Sequence, residues 1–172
     1  MDKNNNTILK MTGIEKSFPG VKALDKVDLT VKKGQVVALI GENGAGKSTL
    51  MKILGGILQP NSGKIEINQT KVDIPDVSTA TKLGIGFIHQ ELNVLDNLDI
   101  AANVFLSREP VKAGFLKLIN TKKIHQMTQP YLDMLGIDLS PDTPLNQISI
   151  AQKQLVEIAK ALSLKAEILI MD

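Results

Sequence analysis

Nine consecutive residues narrow the possibilities for this chain more than all the others: Gly41-Glu42-Asn43-Gly44-Ala45-Gly46-Lys47-Ser48-Thr49, set straight after the apolar run Val36-Val37-Ala38-Leu39-Ile40. The run predicts a buried strand over 35–40, and Leu50-Met51-Lys52-Ile53-Leu54 predicts a helix over 47–57. A G-x-x-x-x-G-K-[ST] turn between strand and helix is the context a phosphate-binding loop needs. Glycines let the backbone approach a ligand closely and adopt positive φ. Successive N–H groups then point inward as an anion-binding nest, and the positive end of the following helix faces the same point. In such a loop Lys47 reaches the β- and γ-phosphates and the Ser48 hydroxyl ligates Mg²⁺. The alternative is a chance match in a glycine-bearing turn, which gives no reason for the flanking strand and helix.

The chain has 172 residues, enough for about one domain. Its net charge of +2 and aromatic content of 3% argue against a nucleic-acid partner, since neither a basic surface nor stacking platforms are on offer. Without cysteine it has no thiol or disulfide chemistry, which fits a cytosolic setting. The opening Met1-Asp2-Lys3-Asn4-Asn5-Asn6 lacks the apolar core of a signal peptide. No apolar stretch approaches the length of a membrane span, so a membrane role is expected to be peripheral and through a partner.

Residues 7–40 read as strands, with Val27-Asp28-Leu29-Thr30-Val31 alternating as a half-buried strand does. Gln59-Pro60-Asn61-Ser62-Gly63 is a turn before the alternating Lys64-Ile65-Glu66-Ile67, and Ile85-Gly86-Phe87-Ile88 is a further short strand. Helical periods dominate from Asn97 to Gly136. Asn120-Thr121 offers caps for a helix to about Leu135, which Gly136 closes and Pro130 should kink or split. Ser149 reads as the cap of a helix carrying Ala151, Leu155, Ile158, Ala159 and Leu162 on one face. The predicted class is α/β: a core of residues 1–90 and 145–172, with a helical subdomain at 91–144.

Ile168-Leu169-Ile170-Met171-Asp172 has the form of a second nucleotide motif, a buried strand with an acid at its carboxyl end. Ligands of open α/β sheets bind at that edge, so Asp172 is a candidate for the Mg²⁺ shell beside Ser48, although many strands end on Asp.

Taken in this order, the elements resemble the nucleotide-binding cassette of ABC transporters across essentially the whole chain. The resemblance implies a P-loop NTPase core sheet with an inserted helical subdomain, ending here at the strand that bears the acid. It implies ATP and Mg²⁺ as ligands, with Gly41, Glu42, Asn43, Gly44, Ala45, Gly46, Lys47, Ser48 and Thr49 around the phosphates. Phe18, in Lys16-Ser17-Phe18-Pro19-Gly20-Val21-Lys22-Ala23-Leu24, stands where the family stacks an aromatic on adenine; a plain core or turn role is its alternative. Gln90, in Phe87-Ile88-His89-Gln90-Glu91, matches the glutamine that touches the metal and the attacking water and relays to the membrane subunit. The neighbouring His89 is expected to have no catalytic role. Leu145-Asn146-Gln147-Ile148-Ser149-Ile150-Ala151-Gln152-Lys153-Gln154 matches the signature segment, which meets the γ-phosphate held by an opposite cassette. Ser149 and Gln152 are kept, whereas Ile150 and Ala151 replace both signature glycines and make close approach harder.

That altered signature resembles the first cassette of sugar importers of the ribose, galactose and xylose type. So do Phe18-Pro19-Gly20-Val21-Lys22-Ala23-Leu24, Gly84-Ile85-Gly86-Phe87-Ile88-His89-Gln90-Glu91-Leu92-Asn93 and Ala101-Ala102-Asn103-Val104-Phe105-Leu106. The implied partners are ATP, a second ABC cassette, membrane permease subunits docking around 91–110 and, indirectly, a periplasmic or extracellular sugar-binding protein. The implied place is the cytoplasmic face of the plasma membrane. The family's water-polarising Glu would follow Asp172 and its switch His would come later, so the resemblance reads this chain as a truncated first cassette, marginally stable and inactive alone. Two other readings stand beside it: an ABC protein acting on translation or DNA, which would replace or extend the insertion with basic arms or coiled coils, and a nucleotide-binding remnant without transport.

Overall fold

A computed structural model describes residues 6–88, 93–112 and 118–171. The chain divides into two compact units, residues 1–85 with 172, and residues 86–171.

The first unit is built on a four-stranded antiparallel sheet. Strands β1 (Thr7–Phe18) and β2 (Val21–Lys32) form a hairpin whose register runs from Thr7 opposite Lys32 to Phe18 opposite Val21. Strands β3 (Ser62–Ile67) and β4 (Thr70–Val72) complete the order β2-β1-β3-β4. Helix α1 (Lys47–Leu54) follows the glycine-rich loop, and α2 (Val77–Lys82) follows β4. Leu9, Met11 and Ile14 of β1, Leu24 of β2, Leu50, Ile53 and Leu54 of α1, and Ile65 and Ile67 of β3 are buried, each apolar side chain stabilising by roughly 1.5–3 kcal/mol.

One expectation fails in this unit. Residues 35–40 form no strand, and Val36 and Ile40 are 91% and 94% exposed. A strand of the parallel, buried kind has no hydrogen bonds of its own; it exists through a neighbour on each side and helices on both faces. None of the described strands pairs with this run.

The second unit is mainly helical. Strands β5 (Ile85–Ile88) and β6 (Ile168–Met171) pair with each other, and between them lie α3 (Ile100–Val104), α4 (Thr121–Met134), a 3₁₀ turn (Leu145–Gln147) and α5 (Ile150–Ser163). In β6 burial alternates: Ile168 and Ile170 are inside, Leu169 and Met171 outside, so the strand is half-buried where full burial was expected. The helices share one apolar core of Ile100, Ala101, Val104, Phe105, Ile124, Leu132, Ile137, Leu145, Val156 and Ala159. Ile124, Thr128 and Leu132, four apart, turn one face of α4 into it. Pro130 does not split α4: the helix runs unbroken through it to Met134 and closes at Gly136, where φ is +65°. Among the described residues no helix is long and apolar enough to cross a membrane.

Candidate nucleotide-binding site

The loop 41–46 leads into α1 through two glycines in the left-handed region, Gly44 at φ +87° and Gly46 at φ +84°. Gly46 has a second reason to be glycine. A Cβ there would sit 2.5 Å from the Ala23 carbonyl oxygen and 2.7 Å from a Leu24 methyl, so the loop lies directly on β2. The ammonium of Lys47 folds back over the loop and donates to the carbonyls of Gly41 at 2.7 Å and Glu42 at 2.8 Å. Ala45 N–H donates to Glu42 O at 3.1 Å, which closes the turn. The loop thus forms a cradle with a cation across its mouth and no carboxylate in hydrogen-bonding contact with that cation among the described residues.

The start of α1 differs from every other described α-helix start. Asp76 caps α2 through Thr79 N, Asp99 caps α3 through Ala102 N, Asn120 caps α4 through Lys123 N, and Ser149 caps α5 through Gln152 N. Helix α1 begins at Gly46 with no side-chain cap, its first intrahelical bond running from Leu50 N to Gly46 O at 2.9 Å. The first N–H groups of a helix lack intrahelical partners and carry a positive potential of about half an elementary charge, the arrangement that receives an oxyanion. Glycine-only geometry, an ammonium held by two loop carbonyls and an uncapped helix end meet at one place, features that suit a phosphate group. Ser48 lies exposed in the first turn of the same helix.

Phe18 ends β1 and is 40% exposed, with the Lys16 ammonium 5.5 Å from its ring centroid and bonded to the Gln59 carbonyl at 2.6 Å. Phe18 pairs with Val21, and Ala23, against which Gly46 rests, is two residues further along β2. Two strand residues advance by about 7 Å along β2.

Ser149 and Gln152 are brought together as a capping box. Gln152 Oε1 accepts from Ser149 N at 2.8 Å and from Ser149 Oγ at 3.0 Å, while Gln152 N donates to Ser149 Oγ at 3.3 Å. Both side chains therefore satisfy each other, and Ile150 beside them is 69% exposed. Gln90, with its neighbour His89, and Asp172 lie outside the described residues, so of the three expected metal ligands only Ser48 is placed.

Polar residues that sequence reasoning passed over crowd the segment 93–96. Asn103 is fully buried on α3; its Oδ1 accepts from Leu95 N at 2.7 Å and its Nδ2 donates to Leu95 O at 3.0 Å and Asp99 O at 2.9 Å. Lys153 of α5 meets Asp96 at 2.6 Å, and Lys160 of α5 donates to Asn93 O at 3.1 Å. A readable signal existed: Lys153, Glu157 and Lys160 fall at helical spacing, alternating in sign.

The sequence profile of the ABC transporter family matches residues 24–172. The chain is 48% identical over 168 residues to a galactose/methyl galactoside import ATP-binding protein, MglA 1 of Photobacterium profundum, covering 98% of this chain and 34% of that protein. It is 47% identical over 165 residues to the ribose import ATP-binding protein RbsA of Clostridium perfringens, covering 96% of this chain and 33% of that one. It thus spans about a third of the length of the curated relatives it matches. Among solved structures, a nucleotide-free ATP-binding cassette from an ABC transporter superposes with a TM-score of 0.79 at 28% identity, over 96% of this chain and 68% of that one. A dimeric cassette in a post-hydrolysis state, bound to ADP and phosphate, superposes with a TM-score of 0.77 at 27% identity, over 96% and 73%. Motif, cradle and both kinds of likeness agree: the chain has the P-loop NTPase fold and belongs to the ABC transporter family.

Proposed function

We propose that this chain binds ATP with Mg²⁺ at the loop 41–49, as the ATP-binding portion of an importer for a monosaccharide. The observation that carries the reading is the start of α1, which alone among the described α-helices has no side-chain cap, beside a Lys47 ammonium held on the loop carbonyls. Phosphate oxygens entering the cradle would take over Lys47 Nζ from the Gly41 and Glu42 carbonyls. The backbone of Gly41 to Gly46, with Thr49 behind it, would line the cradle, and Phe18 would stack on the adenine. Ser48, Gln90 and Asp172 would hold Mg²⁺, which supplies charge neutralisation between the β- and γ-phosphates. Gln90 would also orient the attacking water.

Relatives named for galactose, methyl galactoside and ribose import support a monosaccharide as cargo. In that role the chain works against a second ABC cassette and membrane permease subunits, with a sugar-binding protein beyond them, at the cytoplasmic face of the plasma membrane. The ADP-bound cassette dimer supports the paired arrangement. Ser149 and Gln152 would face the partner cassette's γ-phosphate only by exchanging their mutual bonds for it.

Isothermal calorimetry of Mg-ATP on wild type and Lys47→Ala tests the reading. Charge-assisted bonds are worth about 1.5–3 kcal/mol each, so Lys47→Ala is expected to weaken binding by at least tenfold. Equal affinities would remove the phosphate-loop assignment.

A further inference from the structure

Helix α1 is tied to the β1–β2 hairpin at both of its ends, and Phe18 stands where the hairpin closes. At the front, Gly46 rests on the Ala23 carbonyl and the Leu24 side chain of β2. At the back, the N–H groups of Ile57 and Leu58 return to the Lys52 carbonyl at 2.8 and 3.1 Å, and the chain then crosses onto the end of β1. Asn61 N donates to Glu15 O at 2.8 Å, Ser17 N donates to Asn61 Oδ1 at 2.6 Å, and Lys16 Nζ donates to Gln59 O at 2.6 Å. Gln59 is itself held, its Nε2 donating to the carbonyl of the buried Ile74 at 2.8 Å. Gly63, at φ +106°, lets the crossing lie against β1: a Cβ there would meet Gly13 O at 2.7 Å and Ile14 Cα at 2.8 Å.

The Lys16 ammonium therefore has a fixed acceptor, and from there it stands 5.5 Å from the Phe18 ring centroid. The pairing around it is irregular. Strand β1 steps from Ile14 to Lys16 to Ser17 while its partners on β2 step from Val27 to Leu24 to Lys22, with Lys26 at φ +50°. A bulge of this kind re-aims the side chains beside it. The adjacent carboxylate, Glu15, is engaged by Ser62 at 2.8 Å and by Lys22 at 3.4 Å. A cation over one face of an aromatic ring is attracted by the ring quadrupole, which restrains a half-exposed ring from turning.

We propose that Lys16 and Asn61 are positioning residues for nucleobase recognition: they hold the Phe18 ring with one face toward the Lys16 ammonium, so that a base stacks on the other face while its triphosphate meets the start of α1. The inference rests on the reading of Phe18 as the adenine platform and of loop 41–49 as the phosphate cradle. Every base has a π-face, so a platform of this kind selects for the presence of a base over a bare triphosphate.

Calorimetry with Mg-ATP and with Mg-tripolyphosphate tests it. Lys16→Met removes the charge and keeps an unbranched side chain. It should weaken ATP about two- to fivefold and leave tripolyphosphate unchanged, and Lys16→Arg should restore ATP. Asn61→Ala should act in the same sense and carries the test if Lys16→Met fails to fold. In a Phe18→Ala background Lys16→Met should cost ATP nothing further, as expected when one residue acts through the other. Equal losses for both ligands, no loss for ATP in the folded variants, or full additivity with Phe18→Ala would overturn the proposal. A second readout needs no nucleotide. The chain has no tryptophan, so Phe18→Trp introduces a single emitter at the platform. Adding Lys16→Met should raise its quenching by acrylamide about twofold and lower its anisotropy, because a ring released from the cation turns more freely. Unchanged quenching and anisotropy would overturn the proposal. Failure of the unaltered chain to bind either ligand would instead remove the function proposed above, while the tryptophan signal judges the positioning by itself.

Discussion

The starts of α1 and α5 solve the same problem in opposite ways. Each must satisfy N–H groups that have no intrahelical acceptor. At α5 the chain supplies its own acceptor: Ser149 and Gln152 close on each other, and the end is complete without a ligand. At α1 the chain withholds one. Gly46 brings no side-chain oxygen, and Lys47 adds a positive charge where an acidic first turn would have been the stabilising choice. The difference teaches where an anion is expected: beside the helix start that has no side-chain cap.

Four changes would break or sharpen that contrast. The largest effect is expected from Gly46→Ala, where an L residue at φ +84° and a Cβ at 2.5 Å from Ala23 O combine strain with overpacking. We expect about 2–4 kcal/mol of destabilisation, with loss of ATP binding, read by urea unfolding and calorimetry. A stable, ATP-binding Gly46→Ala would mean that the loop does not need its contact with β2.

Ser149→Ala should cost about 1 kcal/mol in urea unfolding, since α5 loses its acceptor, while Ser149→Asp should keep most of the cap. A neutral Ser149→Ala would show that this end is as bare in solution as the start of α1.

Phe18→Ala extends the contrast to the edge of the site. We expect ATP binding to weaken by about 0.5–1 kcal/mol with the fold intact, and Phe18→Tyr to bind as wild type. If Phe18→Ala unfolded the chain without touching affinity, Phe18 would belong to the hairpin and not to the ligand.

The smallest effect concerns a third helix start. The Thr79 N–H bonded to Asp76 holds that carboxyl below the ordinary aspartate value. Its stabilisation is therefore complete above the ordinary value and fades as pH falls through the lower, folded one. The melting temperature of Asp76→Ala should lie below wild type at neutral pH, and the gap should shrink by about pH 3. A gap that widens in acid would reverse the sign of this account.

Two apolar runs separate what was legible from what was not. Val36 to Ile40 and Ile168 to Met171 look alike as sequence, each an apolar strand ending beside a nucleotide motif. The second pairs with β5 and buries Ile168 and Ile170; the first pairs with none of the described strands. Strand propensity is local, but a strand's hydrogen bonds belong to its neighbours, which a window of residues does not contain. Pro130 teaches the same from the other side, since the packing of Ile124, Thr128 and Leu132 carries α4 through a residue that local rules use to end helices.

Features whose physics is confined to a few successive residues were determined by the sequence alone. The glycine-rich loop, the helix after it and the Ser149 cap follow from φ freedom, from the missing side chain at Gly46 and from an acceptor three residues before its donor. The resemblance added Phe18, Gln90 and the family. Only the tertiary structure decided the rest: that Gly46 rests on Ala23, that Asn103 is buried whole to hold Leu95, and that Glu157 lies under Lys160. The first two join residues apart in the chain; in the third the i, i+3 spacing is legible but the burial of Glu157 is not, because desolvation exists only once the fold has closed around the pair.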